Sequence, residues 1–196
     1  MKKFCLILFA GILLAACHKE PMDRTIFIPD EDDPELPAYS EWGYNSFGAE
    51  YERDYFLVSN KIVPCKIVYS SGQLQFALSG KISSNGKEMT LIFSFPFPEI
   101  TDFMDLVQLN NEKINLSDSV CTVKILQDGT GDTTLNVSDG ELHFKRAQLL
   151  SIDDKLNRVI LSGTFELRFL QENFPANISD GRFDVGITKN YFHYNK

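Results

Sequence analysis

The residues able to do chemistry are few, and their spacing excludes most familiar sites. Three histidines are present, His18, His143 and His193, and four cysteines, Cys5, Cys17, Cys65 and Cys121. Neither CxxC nor HxxxH spacing occurs among them, so a zinc-type centre has no sequence support. There is no GxSxG elbow, P-loop, HExxH or Rossmann glycine run. The sequence therefore nominates no catalytic residue, no metal ligand and no cofactor, and the expectation leans away from an enzyme. Carboxylates are abundant, but a glycosidase pair is defined by separation in space, and Glu50-x-Glu52-x-Asp54 and Asp153-Asp154 read as turn residues. His143 alternates with Leu142 and Phe144, which predicts an imidazole facing solvent. What remains is Cys17, a potential thiolate nucleophile at the end of an apolar run.

That run begins after Lys2 and Lys3 and extends over 13 residues, Phe4 to Ala16. As a helix it would rise about 20 Å, short of the roughly 30 Å hydrocarbon core of a bilayer. A charged start, a short apolar middle and small residues at the end make a secretory signal peptide, and no other segment approaches transmembrane length. Its end, Leu14-Ala15-Ala16-Cys17, resembles the bacterial lipobox. That resemblance implies a diacylglyceryl thioether on Cys17, cleavage before it and acylation of the new amino group, so that Cys17 is the lipid anchor and the membrane a partner. An ordinary signal peptide with an incidental cysteine is the alternative. Two or three acyl chains hold firmly, at about 0.8 kcal/mol per buried CH₂. His18 is not the Asp that retains Gram-negative lipoproteins in the inner membrane, which favours the outer membrane. Lys19-Glu20 and Asp23 loosely resemble an acidic surface-export stretch, interrupted by Pro21 and Met22.

Removing residues 1–16 leaves 180, with 17 basic against 27 acidic side chains, a net charge of −10. Such a balance favours solubility and argues against binding nucleic-acid phosphates. With 43% hydrophobic and 12% aromatic residues, one domain of ordinary size can bury a core. The organisation expected is a signal peptide at 1–16, a lipidated tether at 17–40 and a single β domain at 41–196. Pro21, Pro29, Pro34 and Pro37, interleaved with Asp30, Glu31, Asp32, Asp33 and Glu35, predict an extended, poorly ordered spacer. The acidic run has no glycine for a calcium-loop turn and reads as solvated. An oxidising compartment permits a Cys65–Cys121 disulfide. Both cysteines sit in apolar strand patterns, though, and free buried thiols are favoured.

From Glu41 onward the hydrophobic period is two. Cys65, Ile67 and Tyr69 share a face, then Leu74, Phe76 and Leu78, then Met89 to Phe97 by alternation. Cys121, Val123 and Ile125 follow, then Leu142 and Phe144, then Val159 to Phe169, then Phe183, Val185 and Ile187. Ser71-Gly72, Asn85-Gly86 and Asp128 to Asp132 supply turns, and Pro96 and Pro98 stop a strand. Pro98 to Val107 is the helix candidate. The fold class expected is all-β, an antiparallel sandwich or flattened barrel of roughly eight to ten strands with at most one short helix. Trp42, Tyr44, Phe47, Tyr51 and Tyr55 cluster near the start; core closure is favoured over an exposed stacking surface. Asn136-Val137-Ser138-Asp139-Gly140 echoes Asn177-Ile178-Ser179-Asp180-Gly181. Two Ser-Asp-Gly turns with positive φ at glycine explain the echo; a shared ligand site is the alternative.

Pro64, Gly72-Gln73-Leu74, Gly80, Gly140-Glu141-Leu142-His143-Phe144, Leu161-Ser162-Gly163-Thr164-Phe165 and Ile178-Ser179-Asp180-Gly181-Arg182-Phe183-Asp184 together give the chain a wider likeness. It resembles uncharacterised all-β lipoproteins of Bacteroides-type bacteria over most of residues 43–187. The resemblance implies an exported β domain and transfers no catalytic residue. Asp118-Ser119-Val120 and Asp132-Thr133-Thr134 resemble the O-glycosylation acceptor of these bacteria, making Ser119 and Thr133 candidate acceptors. The function expected is a membrane-anchored, non-enzymatic binding or structural module at the outer membrane, with no protein or glycan partner named. A lipocalin-like carrier and a carbohydrate-active hydrolase are the alternatives.

Overall fold

A computed structural model describes residues 24–59, 63–127, 131–152, 155–171 and 173–196. Cys17 and its neighbours, Asp128-Gly129-Thr130 of the expected turn, and Asp153-Asp154 lie outside the described residues.

Alternation in the sequence becomes alternation in space. The strands are β1 (Ser46–Tyr51), β2 (Asp54–Val58), β3 (Cys65–Ser70), β4 (Gln73–Ile82), β5 (Glu88–Pro96) and β6 (Glu112–Asn115). They continue as β7 (Thr122–Gln127), β8 (Gly131–Thr134), β9 (Asn136–Ile152), β10 (Lys155–Gln171), β11 (Phe174–Ile187) and β12 (Phe192–Asn195). Along β4 the buried residues are Leu74, Phe76, Leu78, Gly80 and Ile82, and along β5 Met89, Leu91, Phe93 and Phe95. The Ser71-Gly72 turn forms as expected, both residues at positive φ (52° and 79°), and it fixes the register Ser70 opposite Gln73.

All twelve strands belong to one mostly antiparallel sheet, β6-β9-β10-β11-β1-β2-β4-β5-β7-β8, from which β3 and β12 branch at β4. The all-β class is thus observed, with more strands than eight to ten because the short β6, β8 and β12 are too brief to show a period. β12 pairs with β3 in parallel, an exception to the antiparallel rule at a sheet edge.

The sheet curls until its two limbs meet. Phe76 on β4 packs against Phe144 on β9 and Phe183 on β11, at 5.2 and 4.9 Å between ring centroids. Phe93 on β5 meets Phe165 on β10 at 5.4 Å, and Phe95 meets Phe144 at 6.1 Å. Edge-to-face and tilted rings of this kind add to the area they bury, and Phe47, Phe56, Phe76, Phe93, Phe95, Phe144, Phe169 and Phe183 are all fully enclosed. One end of the core is closed by the one helix among the described residues, a 3₁₀ turn over Phe103–Leu109 that buries Leu106 and Leu109. It starts later than the sequence suggests because Asp102 caps it: its carboxylate accepts from Met104 N, while Asp105 accepts from Asp102 N. Cys65 is buried and Cys121 half-buried, both as free thiols. Burial pushes the Cys65 thiol well up, and burial followed by the Asp118 charge raises that of Cys121.

The expected spacer is different in its described part. From Arg24 the chain lies on the outer face of the sheet as a strap. Asp30 N donates to Leu36 O and Ala38 N to Ile28 O, a hairpin with Pro29 bridged to Pro37. Asp30 Oδ1 accepts from Asp32 N at 3.0 Å, so the acidic run builds its own turn. Leu36 is 1% exposed; it and Pro37 press on Gly48, where a Cβ would lie 2.5 Å from Pro37 Cδ. An apolar Leu amid carboxylates escaped the compositional reading, yet it carries the docking.

Candidate functional site

The outer face of β10 and β11 is polar where the inner face is aromatic, because successive side chains point to opposite sides of a strand. Leu161, Phe183 and Val185 face the core; Ser162 and Asp184 face outward yet are 0% and 2% exposed. The strap covers them. Asp184 accepts hydrogen bonds from the backbone amides of Trp42 (3.2 Å), Gly43 (2.8 Å) and Tyr44 (3.1 Å). It also accepts from the hydroxyl of Ser162 at 2.9 Å and from that of Ser40. Three successive N–H groups around a carboxylate form an anion nest. Every donor here belongs to the protein, so the buried Asp184 is a fastener.

Beside the strap runs an open groove of about 310 Å³, lined by Tyr39, Glu141, Thr164, Glu166, Asp180 and Arg182. Its floor is β10 flanked by β9 and β11. Glu141 and Glu166 are direct partners across the β9–β10 ladder, and like charges in that position repel. Glu141 is relieved by Lys113 at 3.0 Å. The carboxylates of Glu166 and Asp180 have no hydrogen bond or ion pair among the described residues. Arg182 is committed to Asp30 of the strap at 2.6 Å. Lys145 stands over the Tyr39 ring, 4.8 Å from its centroid. The Tyr39 hydroxyl donates a hydrogen bond to Glu41 at 2.9 Å; burial, then that hydrogen bond, push its pKa well up, so that it stays a neutral donor. Chemically the groove offers free acceptors, a hydroxyl at Thr164 and an aromatic wall, a surface suited to a hydrogen-bonding hydrophilic ligand.

The two echoed segments meet at this groove. Asp139-Gly140 lies opposite Leu167 and Arg168 on one side of β10, and Ile178 to Gly181 lies opposite Phe165 to Leu167 on the other. They are not turns, as the sequence suggested, but bulged stretches inside long strands, and neither glycine has positive φ; Asp180 does, at 50°. Glycine is needed there because the neighbouring backbone is too close. A Cβ on Gly181 would lie 2.3 Å from Phe165 O, and one on Gly140 2.8 Å from Glu166 O. A smaller hollow of about 100 Å³ joins the two segments, lined by Asp139, Arg168, Asn177 and Ser179 around Glu166. The sequence showed the echo; only strand order shows that both copies flank one strand.

The remaining sequence candidates are dispersed. Glu50 accepts from Ser179 Oγ at 3.3 Å and Glu52 from Asn177 N at 2.6 Å, bracing β11. Asp54 accepts from Tyr55 N and Ser84 N at the hairpin end. Of the aromatic group, Phe47 joins the core, whereas Trp42 is 73% exposed, against the expectation of core closure, because its backbone is pinned to Asp184 on the outer face. His143 lies on the outer face but is only half-exposed, with Nε2 buried and without a hydrogen-bond partner among the described residues. Burial, then the Lys113 charge, keep its imidazole below the usual range. His193 is exposed on β12. Ser119 is exposed in a turn closed by Cys121 N to Asp118 O, and Thr133 is exposed on the edge strand β8. No protein family, curated protein or solved structure matches this chain.

Proposed function

We propose that this protein is an outer-membrane lipoprotein, anchored by acylated Cys17, whose β domain acts as a non-enzymatic binding or structural module. The observation that carries the module reading is the contrast between a ring-filled interior and a recessed polar outer face. Interlocked phenylalanines occupy the space a lipocalin-like carrier would need for its cargo, which leaves the groove around Glu166 as the recognition surface. The lipobox resemblance of Leu14-Ala15-Ala16-Cys17 supports the anchor. The test is metabolic labelling with palmitate combined with fractionation. Wild type takes up label and sediments with outer membranes, and Cys17→Ser does neither. Membrane retention of the serine variant, with no label in wild type, would end this reading.

A second reading, a carbohydrate-active hydrolase, is favoured by one feature: Glu141 and Glu166 face each other in an open groove. Paired carboxylates are the working parts of most glycosidases. If this reading holds, turnover of an oligosaccharide by wild type disappears in Glu166→Gln while binding persists.

A further inference from the structure

The strap carries an apolar end that the fold leaves uncovered. Ile26, Phe27 and Ile28 are 47%, 41% and 46% exposed, and Trp42 is 73% exposed. They belong to one place: Ile26 N donates to Tyr44 O at 2.8 Å, two residues from Trp42. Three consecutive exposed apolar residues beside an exposed tryptophan are a costly surface for a soluble domain unless something covers them. Five of the strap's six carboxylates lie elsewhere, in the Asp30–Leu36 turn at the far end of its hairpin; the sixth, Glu41 next to Trp42, is engaged by the Tyr39 hydroxyl at 2.9 Å with Arg146 at 3.9 Å. The strap is thus polarised, apolar where the chain arrives and acidic where it turns back.

The length of chain before that end selects the occupant. Only residues 18–23 separate Cys17 from Arg24. Seven Cα steps reach at most about 25 Å, less than a long spacer would allow. An anchor at Cys17 therefore holds Ile26 within reach of the lipid headgroups. Tryptophan favours the membrane–water interface, with its ring apolar and its N–H hydrated. With a net mature charge of −10, charge attraction to an anionic surface is excluded as the driving force. We propose that Ile26-Phe27-Ile28 and Trp42 seat on the bilayer interface, so that the domain rests against the membrane instead of standing away on a tether. This rests on the anchor reading of Cys17.

Trp42 is the sole tryptophan, and so reports on its own surroundings without background. The full chain, processed by its host, is reconstituted into phosphatidylethanolamine–phosphatidylglycerol vesicles with and without lipids brominated near the headgroup. The expected result is a blue-shifted Trp42 emission quenched roughly twofold by bromine, at the shallow depth interfacial segments reach, and insensitive to salt. Ile26→Ser with Phe27→Ser, both at exposed positions, keeps the acyl mass on Cys17 and the flotation but loses the quenching. Acylated, floating wild type with unquenched, water-like emission would overturn the seating alone. A Cys17 without acyl mass would overturn the anchor and the seating together. A blue shift that grows with protein density and shows no quenching would assign the patch to a second copy of the chain, and would also overturn the proposal.

Discussion

The two faces of β10 and β11 are closed by different physics. On the inside, Phe165 and Phe183 meet rings from the opposite limb, and the gain comes from apolar area and close packing. On the outside, Ser162 and Asp184 are as deeply buried, but under a strap fastened by directed hydrogen bonds to one carboxylate. Area is spread over many partners, so the inner closure is shared by the whole sheet. A carboxylate nest is local, so the outer closure rests on a few side chains, Asp184 first, with Leu36 against Gly48 and the Arg182–Asp30 pair beside it. That difference says where the molecule yields first: the strap opens while the core persists.

Four experiments break or sharpen this contrast. The largest effect is expected inside. Phe76 touches Phe93, Phe144 and Phe183, and Phe76→Ala should cost about 3–5 kcal/mol, seen as a lower denaturation midpoint of the entire domain. Asp184→Ala comes next, at about 2–3 kcal/mol, because buried N–H groups lose their acceptor. Its signature is rapid proteolysis between Arg24 and Tyr44 with the sheet's circular dichroism retained. Global unfolding in this variant would show that the two faces form one cooperative unit. Gly181→Ala forces a methyl into Phe165 O and should cost about 1–3 kcal/mol, with amide exchange accelerated around the bulge and the strap unaffected.

The smallest effect is one of pH. The N–H of Asp32, then that of Asp33 and the Arg182 guanidinium, hold the Asp30 carboxyl below its ordinary value of 3.8, against a burial effect of opposite sign. A lowered native value means that the unfolded state binds more protons. The contribution is therefore complete above about pH 4 and fades as pH falls through the native value. Strap proteolysis followed between neutral pH and pH 3 should rise only in that last interval, and Arg182→Ala should flatten the rise. A rise that begins above the carboxylate range would instead point to His143, whose imidazole is held below its usual range by burial, then by the Lys113 charge, and would detach the effect from the strap.

The inner face was open to reading because its rule is periodic. Leu74, Phe76 and Leu78, Met89 to Phe95 and Val159 to Phe169 name their own face by alternation. The candidate groove was half-visible. The echoed Ser-Asp-Gly segments announced themselves, but as turns, since short-range rules favour that reading of Asp-Gly. Glu141 and Glu166 gave no sign of meeting, because they lie 25 positions apart and only the β9–β10 register pairs them. Proline and carboxylate content hid the strap: the composition of residues 18–40 speaks for disorder, and Leu36 and the distant Asp184 reverse it for the described part.

By itself, then, the sequence determined the all-β class, the turn at Ser71-Gly72, the apolar face of each long strand and the lipobox-like end of its first 17 residues. These are properties of neighbours along the chain, set by side-chain period, by backbone φ and by local motif. Tertiary structure alone decided that the strap docks, that Trp42 stays exposed, and that two echoed bulges and two facing glutamates share one groove. Those outcomes depend on contacts between residues more than 20 positions apart, such as Gly43 with Asp184 at a separation of 141. Such contacts are fixed by strand order, and strand order is chosen by the closure of the whole core.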